Sequence, residues 1–335
     1  MIKIAIDLGS TMTKIYRADA GNGIVLAEPS CVAVGSDGVE VKAIGKEAKQ
    51  LVGKTAGLTR IVFPIYEGMV VDDRLAVIML KEFLNRAGIK ATKIKRAEAV
   101  FSVPCGVSED CLESYRVLAQ ECGLKKVYFV ETPYLAVLGS DDAILSEADP
   151  VFMLNIGGGV TNAAVLSLGG IIAGVSMNVG GNNMDSNIIN KLAREKGLNV
   201  GPLTAERVKN EIGSLSVNAR GATVAEGSSV SNFRPASASV QASEISDCIR
   251  VYIDKVLEYA ALVLNKLPAE VAAAVNKNGV FLSGGVAKIS YVPDYISKKL
   301  EMRVRVCEEP QFSVVSGGGA VIRDKTLLQK ISKKF

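Results

Sequence analysis

Ile4-Ala-Ile-Asp-Leu-Gly-Ser-Thr-Met-Thr13 and Phe152-Met-Leu-Asn-Ile-Gly-Gly-Gly-Val-Thr161 are two versions of one pattern, set nearly half the 335-residue chain apart. Each is an apolar strand that ends on a polar residue, turns through glycine, and resumes as a second apolar strand after Thr. Further strand signals follow each copy, and then helices. Amphipathic windows lie at 72–86 and 109–122 in the first half, and at 184–196, 204–215 and 243–267 in the second. Two homologous α/β halves facing each other explain the repeat most economically.

The second copy sits in a stretch without charge, Val151 to Met184, long enough to span a bilayer. Asn155, Asn162, Asn178, Asn182 and Asn183 interrupt it, and the clusters Gly157–Gly159 and Gly169–Gly170 cut it into short β-branched runs. A buried three-strand meander is therefore expected. Residues 214–243 are rich in Ser and Ala, and their alternation predicts a small β-containing subdomain rather than a linker. A hydrophobic fraction of 48% excludes global disorder, and a charged fraction of 22% excludes a membrane bundle. The net charge of +4, from 39 basic and 35 acidic residues, is too mild for a nucleic-acid partner. With no His, triads and metal sites that need imidazole are excluded. The six cysteines have no C-x-x-C spacing and are expected to be buried thiols in a reducing cytosol. A strand beginning at Met1 predicts no targeting segment.

The tips carry the chemistry. In Asp7–Thr13, Gly9 allows a tight turn that exposes N–H groups, and Ser10, Thr11 and Thr13 add hydroxyls, so the tip can hold phosphate oxygens. Asp7 at the strand end can hold Mg²⁺ through water. One such hairpin is commonplace. A second, Gly157-Gly158-Gly159, can clamp a polyphosphate from the other side. A third turn, Ser283-Gly284-Gly285-Val286-Ala287, follows a short strand and can pass beneath a base or ribose.

These residues resemble the actin, DnaK-type chaperone and sugar-kinase ATPase superfamily, and within it the bacterial MreB family. The resemblance covers nearly the whole chain. It includes Glu28-Pro-Ser-Cys-Val-Ala, Gly45-Lys-Glu-Ala-Lys-Gln-Leu-Val-Gly-Lys-Thr, Pro64-Ile-Tyr-Glu-Gly-Met-Val-Val-Asp-Asp and Thr204-Ala-Glu-Arg-Val-Lys-Asn-Glu-Ile-Gly-Ser. It implies an actin-like, ribonuclease H-like duplicated α/β fold: two large domains, each with a smaller subdomain, around a nucleotide cleft. The implied divisions are subdomain IA at 1–32, 75–145 and 318–335, IB at 33–74, IIA at 146–181 and 245–317, and IIB at 182–244. ATP or ADP with Mg²⁺ is the implied cofactor. Asp7, Gly9, Ser10, Thr11, Met12 and Thr13 would form one phosphate loop, and Asn155, Gly157, Gly158, Gly159 and Thr161 the other. Glu206, Arg207, Val208 and Lys209 match the adenosine-contacting Glu-x-x-Lys, and Gly284, Gly285, Val286 and Ala287 the adenosine loop. From spacing alone, Glu206 and Lys209 also read as an exposed helical ion pair.

The departures from the family are chemical. Its second phosphate loop opens with Asp where this chain has Asn155. Its Glu-Glu-Pro becomes Glu131-Thr132-Pro133, and the Glu after the second loop's Thr becomes Asn162. Water-orienting or general-base groups are worth about 10²–10⁴-fold in rate, so weakened hydrolysis is expected. The implied function is an adenine-nucleotide-binding cytoskeletal protein that polymerises into protofilaments, in a cell-shape or scaffold role. The alternatives are a competent ATPase that uses Glu131, which strand alternation would turn aside, or a rearranged site, and a non-polymerising regulator of other actin-like subunits. Two basic segments are candidates for peripheral membrane contact in an otherwise cytoplasmic protein. One is the loop Lys90–Arg96, with Lys93 and Lys95. The other is Lys325–Phe335, where Leu327, Leu328, Ile331 and Phe335 share a helical face. The competing readings are a solvated loop and docking of the terminal helix on the first domain.

Overall fold

A computed structural model describes residues 2–21, 23–54, 57, 59–140, 149–167 and 170–333. Strands β1 (Lys3–Leu8), β2 (Met12–Arg17), β3 (Ile24–Pro29), β4 (Glu98–Val103) and β5 (Lys126–Glu131) form one sheet in the order β5-β4-β1-β2-β3. The first three make an antiparallel meander, while β1, β4 and β5 run parallel. Strands β6 (Val151–Ile156), β7 (Thr161–Ser167), β8 (Gly170–Met177), β9 (Val280–Ser283) and β10 (Val304–Val306) form the other, in the order β8-β7-β6-β9-β10. Its meander and parallel pairs repeat the same scheme. The repeat in the sequence is therefore a repeat in topology, and the charge-free stretch is the expected meander. Strands β4 and β6 are buried along their whole length, as expected for parallel strands covered on both faces.

Helices cover these sheets through the periodic residues. Asp73–Arg86 buries Leu75, Met79, Leu80 and Phe83, and Glu109–Glu121 buries Leu112, Tyr115 and Leu118. Asp72 accepts from the Leu75 N–H at 2.9 Å and Ser108 from the Cys111 N–H, so each helix starts at a side-chain cap. Two three-stranded sheets accompany the large ones. One joins Val32–Gly35, Val41–Ile44 and Thr59–Val62; the other joins Leu198–Asn199, Ala222–Ser229 and Pro235–Gln241. The Ser/Ala-rich segment is thus a small β unit.

Each half has its own apolar core, and a third cluster joins them. It brings Ala5, Val100 and Val130 of the first sheet against Met153, Ala164 and Phe281 of the second. Helices Thr132–Leu138 and Ser313–Val321 lie in this junction, packed backbone to backbone. A Cβ on Gly317 would stand 1.8 Å from the Leu135 carbonyl oxygen.

Helix 184–196 begins three residues earlier than expected, at Gly181. The N–H groups of Gly181 and Asn182 donate to the carbonyls of Gly157 and Gly158, a cap supplied by a distant turn that periodicity cannot register. The other two windows are Pro202–Ile212 and Ala242–Leu264.

Both membrane candidates change character. Ala91–Ile94 is a helical turn rather than a loop, and Ile94 is buried in the first core. Lys90, Lys93, Lys95 and Arg96 remain exposed without an apolar wedge. In the helix Lys325–Ile331, Leu328 and Ile331 are buried in the junction cluster, so the apolar face is docked on the fold. Lys334 and Phe335 lie outside the described residues, as do Met1, Gly169 and the boundary near residue 145. No helix among the described residues is long and apolar enough to cross a membrane. Five cysteines are buried and Cys111 is half-buried. Burial pushes the Cys31 thiol up to about 11 and those of Cys105 and Cys122 up to about 12.

Replacing Gly317 by Ala is expected to cost about 2 kcal/mol, because the added methyl must push apart a pair of helices fixed on both sides. Urea unfolding should show the lower midpoint at an unchanged slope.

Candidate functional site

The two glycine tips face each other across a cleft between the halves. Both are closed by the same turn: Gly9 N–H donates to Met12 O at 3.2 Å, and Gly157 N–H to Val160 O at 2.9 Å. They are nearly in contact. A Cβ on Gly158 would fall 2.0 Å from Thr11 Oγ1, and one on Gly159 would fall 2.9 Å from Ser10 Cβ. Only a residue without a side chain lets the second tip approach the first this closely. Thr11 Oγ1 donates to Asn182 Oδ1 across the gap (3.1 Å), and Ser10 Oγ accepts from Gly68 N–H (3.1 Å). Among the described residues, the N–H groups of Ser10, Thr11, Gly158 and Gly159 have no protein acceptor. Four donors without partners on two adjoining tips offer an anion cradle. The cleft holds a cavity of about 680 Å³, inside the ~300–1,000 Å³ range of small-molecule sites.

The polar floor below the tips is neutral apart from one ion pair. Asp7 Oδ1 accepts from Ser102 Oγ at 2.9 Å, and Asp7 Oδ2 faces Lys14 Nζ at 2.7 Å. Asn155 donates through Nδ2 to Ser283 Oγ, its partner in the β6–β9 register. Thr132 opens a helix directly after β5 and donates its hydroxyl to Val103 O at 2.9 Å. Asn162 Oδ1 accepts from Cys105 N–H at 2.8 Å, tying the two halves together at the base of the cleft. Glu131 does not line the cavity. Its Oε1 accepts from Gly106 N–H at 2.7 Å and pairs with Lys333 at 3.3 Å, so it is committed elsewhere.

On the far side, Glu206, Lys209, Gly284, Gly285 and Val286 line the cavity. Lys209 is buried and held: its Nζ donates to Gly181 O at 3.0 Å and to Asp185 Oδ2 at 2.8 Å, which leaves one N–H for a ligand. Burial pushes the Asp185 carboxyl above the usual carboxylate range, against the opposing pull of the Lys209 ammonium. The exposed-pair reading of Glu206 with Lys209 therefore fails. Glu206 reaches across the mouth of the cleft to Lys49 of the helix Lys46–Gln50, at 2.6 Å.

Besides Glu131, five expected residues stand outside the cavity. Thr13 is buried against Ser30 Oγ (2.8 Å), and Thr161 donates to Val179 O (2.7 Å). The alternation that points Asp7 and Lys14 into the cleft turns Thr13 into the sheet. Arg207 binds Glu211 and Val224 O, and Val208 and Ala287 are core residues. Conversely, Lys14, Ser102 and Asn182 line the cavity without having been expected there. The signal for Lys14 was present: an antiparallel hairpin closed at Gly9 sets Asp7 directly opposite Lys14. Ser102 and Asn182 come from other elements and had no such signal.

The residues present do not fit a protein-held divalent cation. Asp7, expected to hold Mg²⁺ through water, already has a cation at 2.7 Å, and Asn155 and Thr132 bring no charge. Among the described residues no three Asp, Glu, Cys or His side chains converge as a metal site.

The MreB/Mbl protein family model matches residues 1–330. The cell shape-determining protein MreB of Escherichia coli K12 is 31% identical over 330 residues, covering 95% of this chain and 92% of that protein. The cell shape-determining protein Mbl of Bacillus subtilis 168 is 29% identical over 328 residues, covering 98% and 97%. MreB 5 of Spiroplasma citri bound to AMPPNP has a TM-score of 0.90 at 29% identity, over 98% of each chain. The MamK double helical filament has a TM-score of 0.79 at 20% identity, over 96% of this chain and 99% of the other, which bears on the fold alone.

Replacing Glu206 by Gln is expected to loosen the mouth without unfolding the protein. A half-exposed pair of this kind is worth about 0–1 kcal/mol, so the urea midpoint should barely move. Amide exchange in 46–50 and 202–212 should quicken.

Proposed function

The chain belongs to the MreB/Mbl family, and we propose that it is a cytoplasmic cytoskeletal protein that binds an adenine nucleotide between its halves and polymerises into protofilaments. The observation that carries the nucleotide reading is the pair of facing tips with four unpartnered N–H donors. Spiroplasma citri MreB5, 29% identical, is described in complexes with AMPPNP and with ADP, which supports the same ligand class here. Self-assembly is inferred from the family, and the subdomain division given above remains within the proposal. The cellular role inferred from the curated relatives is cell-shape determination.

Hydrolysis in this reading is weak. An attacking water must lose a proton as it bonds to phosphorus, and neither the Asn155 amide nor the Thr132 hydroxyl takes one at neutral pH. Glu131, the remaining carboxylate of that segment, is bound to Gly106 and Lys333. A nucleotide shifts assembly only through its differential affinity for the assembled conformation. With hydrolysis slow, filaments should persist and respond alike to ATP and ADP.

Sedimentation with negative-stain microscopy tests the assembly. Filaments are expected with either nucleotide, and monomers persisting at tens of micromolar, where contacts of about −6 to −7 kcal/mol are populated, would overturn it. Asn155→Asp combined with Thr132→Glu should raise phosphate release by about 10²-fold or more. Natural protein that already turns over as fast as the double variant would end the weak-hydrolysis half.

A further inference from the structure

The nucleotide reading leaves Lys14, in the cleft, without a role. Lys14 stands on β2 directly opposite Asp7, next to the first tip, and both residues line the cavity. Both side chains are mostly shielded, at 15% and 14% exposure. An ammonium has three N–H donors. Asp7 takes one at 2.7 Å, and Lys14 has no other hydrogen-bond partner among the described residues. Asp7 is itself held by Ser102 Oγ, so the pair is positioned by three adjacent strands of one sheet. A polyphosphate laid against the N–H groups of the tips brings several negative charges into this space. Something positive must meet them. The donor set offers a divalent ion no free carboxylate, since the one acid on the floor is neutralised already.

We propose that Lys14 is the resident cation beside the first tip, so that this chain binds nucleoside polyphosphate without requiring a divalent metal ion. Asp7 then acts as a positioning residue for Lys14 rather than as a water-mediated metal holder. Lysine is well suited to this role. It is a compact point charge on a flexible stem, able to turn two donors toward phosphate oxygens while keeping the third on Asp7. The inference rests on the nucleotide reading of the cleft. The competing account is that Lys14 and Asp7 merely tie β1 to β2.

Equilibrium binding of ADP, by calorimetry, decides between them in four arms: natural protein and Lys14→Met, each with excess MgCl₂ and with EDTA. Natural protein should bind within about threefold in the two buffers. Lys14→Met in EDTA should lose about tenfold or more, the scale of one charge-assisted hydrogen bond. MgCl₂ should recover some of that loss, because the substitution frees Asp7. Lys14→Arg keeps the charge and should retain binding in EDTA, which separates a lost cation from a damaged fold. A loss beyond tenfold when the natural protein is moved to EDTA would overturn the proposal. Equal binding by Lys14→Met in EDTA would also overturn it, leaving the pair a strand tie. Absence of ADP binding by natural protein in both buffers would instead fell the nucleotide reading, and this proposal with it.

Discussion

The approach of two backbone turns governs this molecule. Gly158 lies so close to Thr11 that a single methyl group would occupy the same space as the hydroxyl. The two halves can meet at that distance only because the second tip has no side chains. The close approach brings the N–H groups of both tips into one cradle. It also decides where the helix Gly181–Lys196 begins, because its first N–H groups are satisfied by the carbonyls of the second tip. Tip, cradle and helix start are one hydrogen-bonded unit.

Polar ties join the halves at three levels of the cleft. At the base, Asn162 Oδ1 accepts from Cys105 N–H above the shared apolar cluster. Midway, Thr11 donates to Asn182 beside the cradle. At the mouth, Lys49 and Glu206 close the space with an ion pair open to water. The strength of these ties falls in that order. A buried hydrogen bond within a packed junction resists opening, whereas an exposed ion pair is worth a fraction of a kcal/mol. The fold therefore opens most readily from the mouth, and a ligand held at the tips acts on the middle tie. This arrangement gives a bound nucleotide a physical means of biasing the relative position of the halves, which the proposed assembly requires.

Charge is unevenly placed in the cleft. An amide stands at Asn155 and a hydroxyl at Thr132, while the ammonium of Lys14 pairs with Asp7 beside the first tip. Under the proposed function, that combination favours holding an anion over activating water.

Local chemistry made much of this legible in the sequence. The repeat of Ile4–Thr13 in Phe152–Thr161 reports duplicated topology, because strand, turn and strand are each dictated by neighbouring residues. The helices Asp73–Arg86 and Glu109–Glu121 announce themselves through apolar spacing and the caps Asp72 and Ser108. Family motifs add the site residues around both tips. What sequence left open depended on which way a side chain turns and on what meets it from elsewhere in the chain. Thr13 and Thr161 face the sheet interiors, Val208 and Ala287 the core, and Arg207 a neighbouring strand. Ile94, Leu328 and Ile331 were apolar by composition, but only tertiary packing decided that they bury against this protein instead of facing a membrane. Lys14 sits between these cases. The hairpin register that sets it opposite Asp7 is local, whereas Ser102, which fixes Asp7, arrives from a strand nearly a hundred residues away. A sequence states the pairings that neighbours impose; contacts between distant segments exist only once the whole chain has excluded water from its cores.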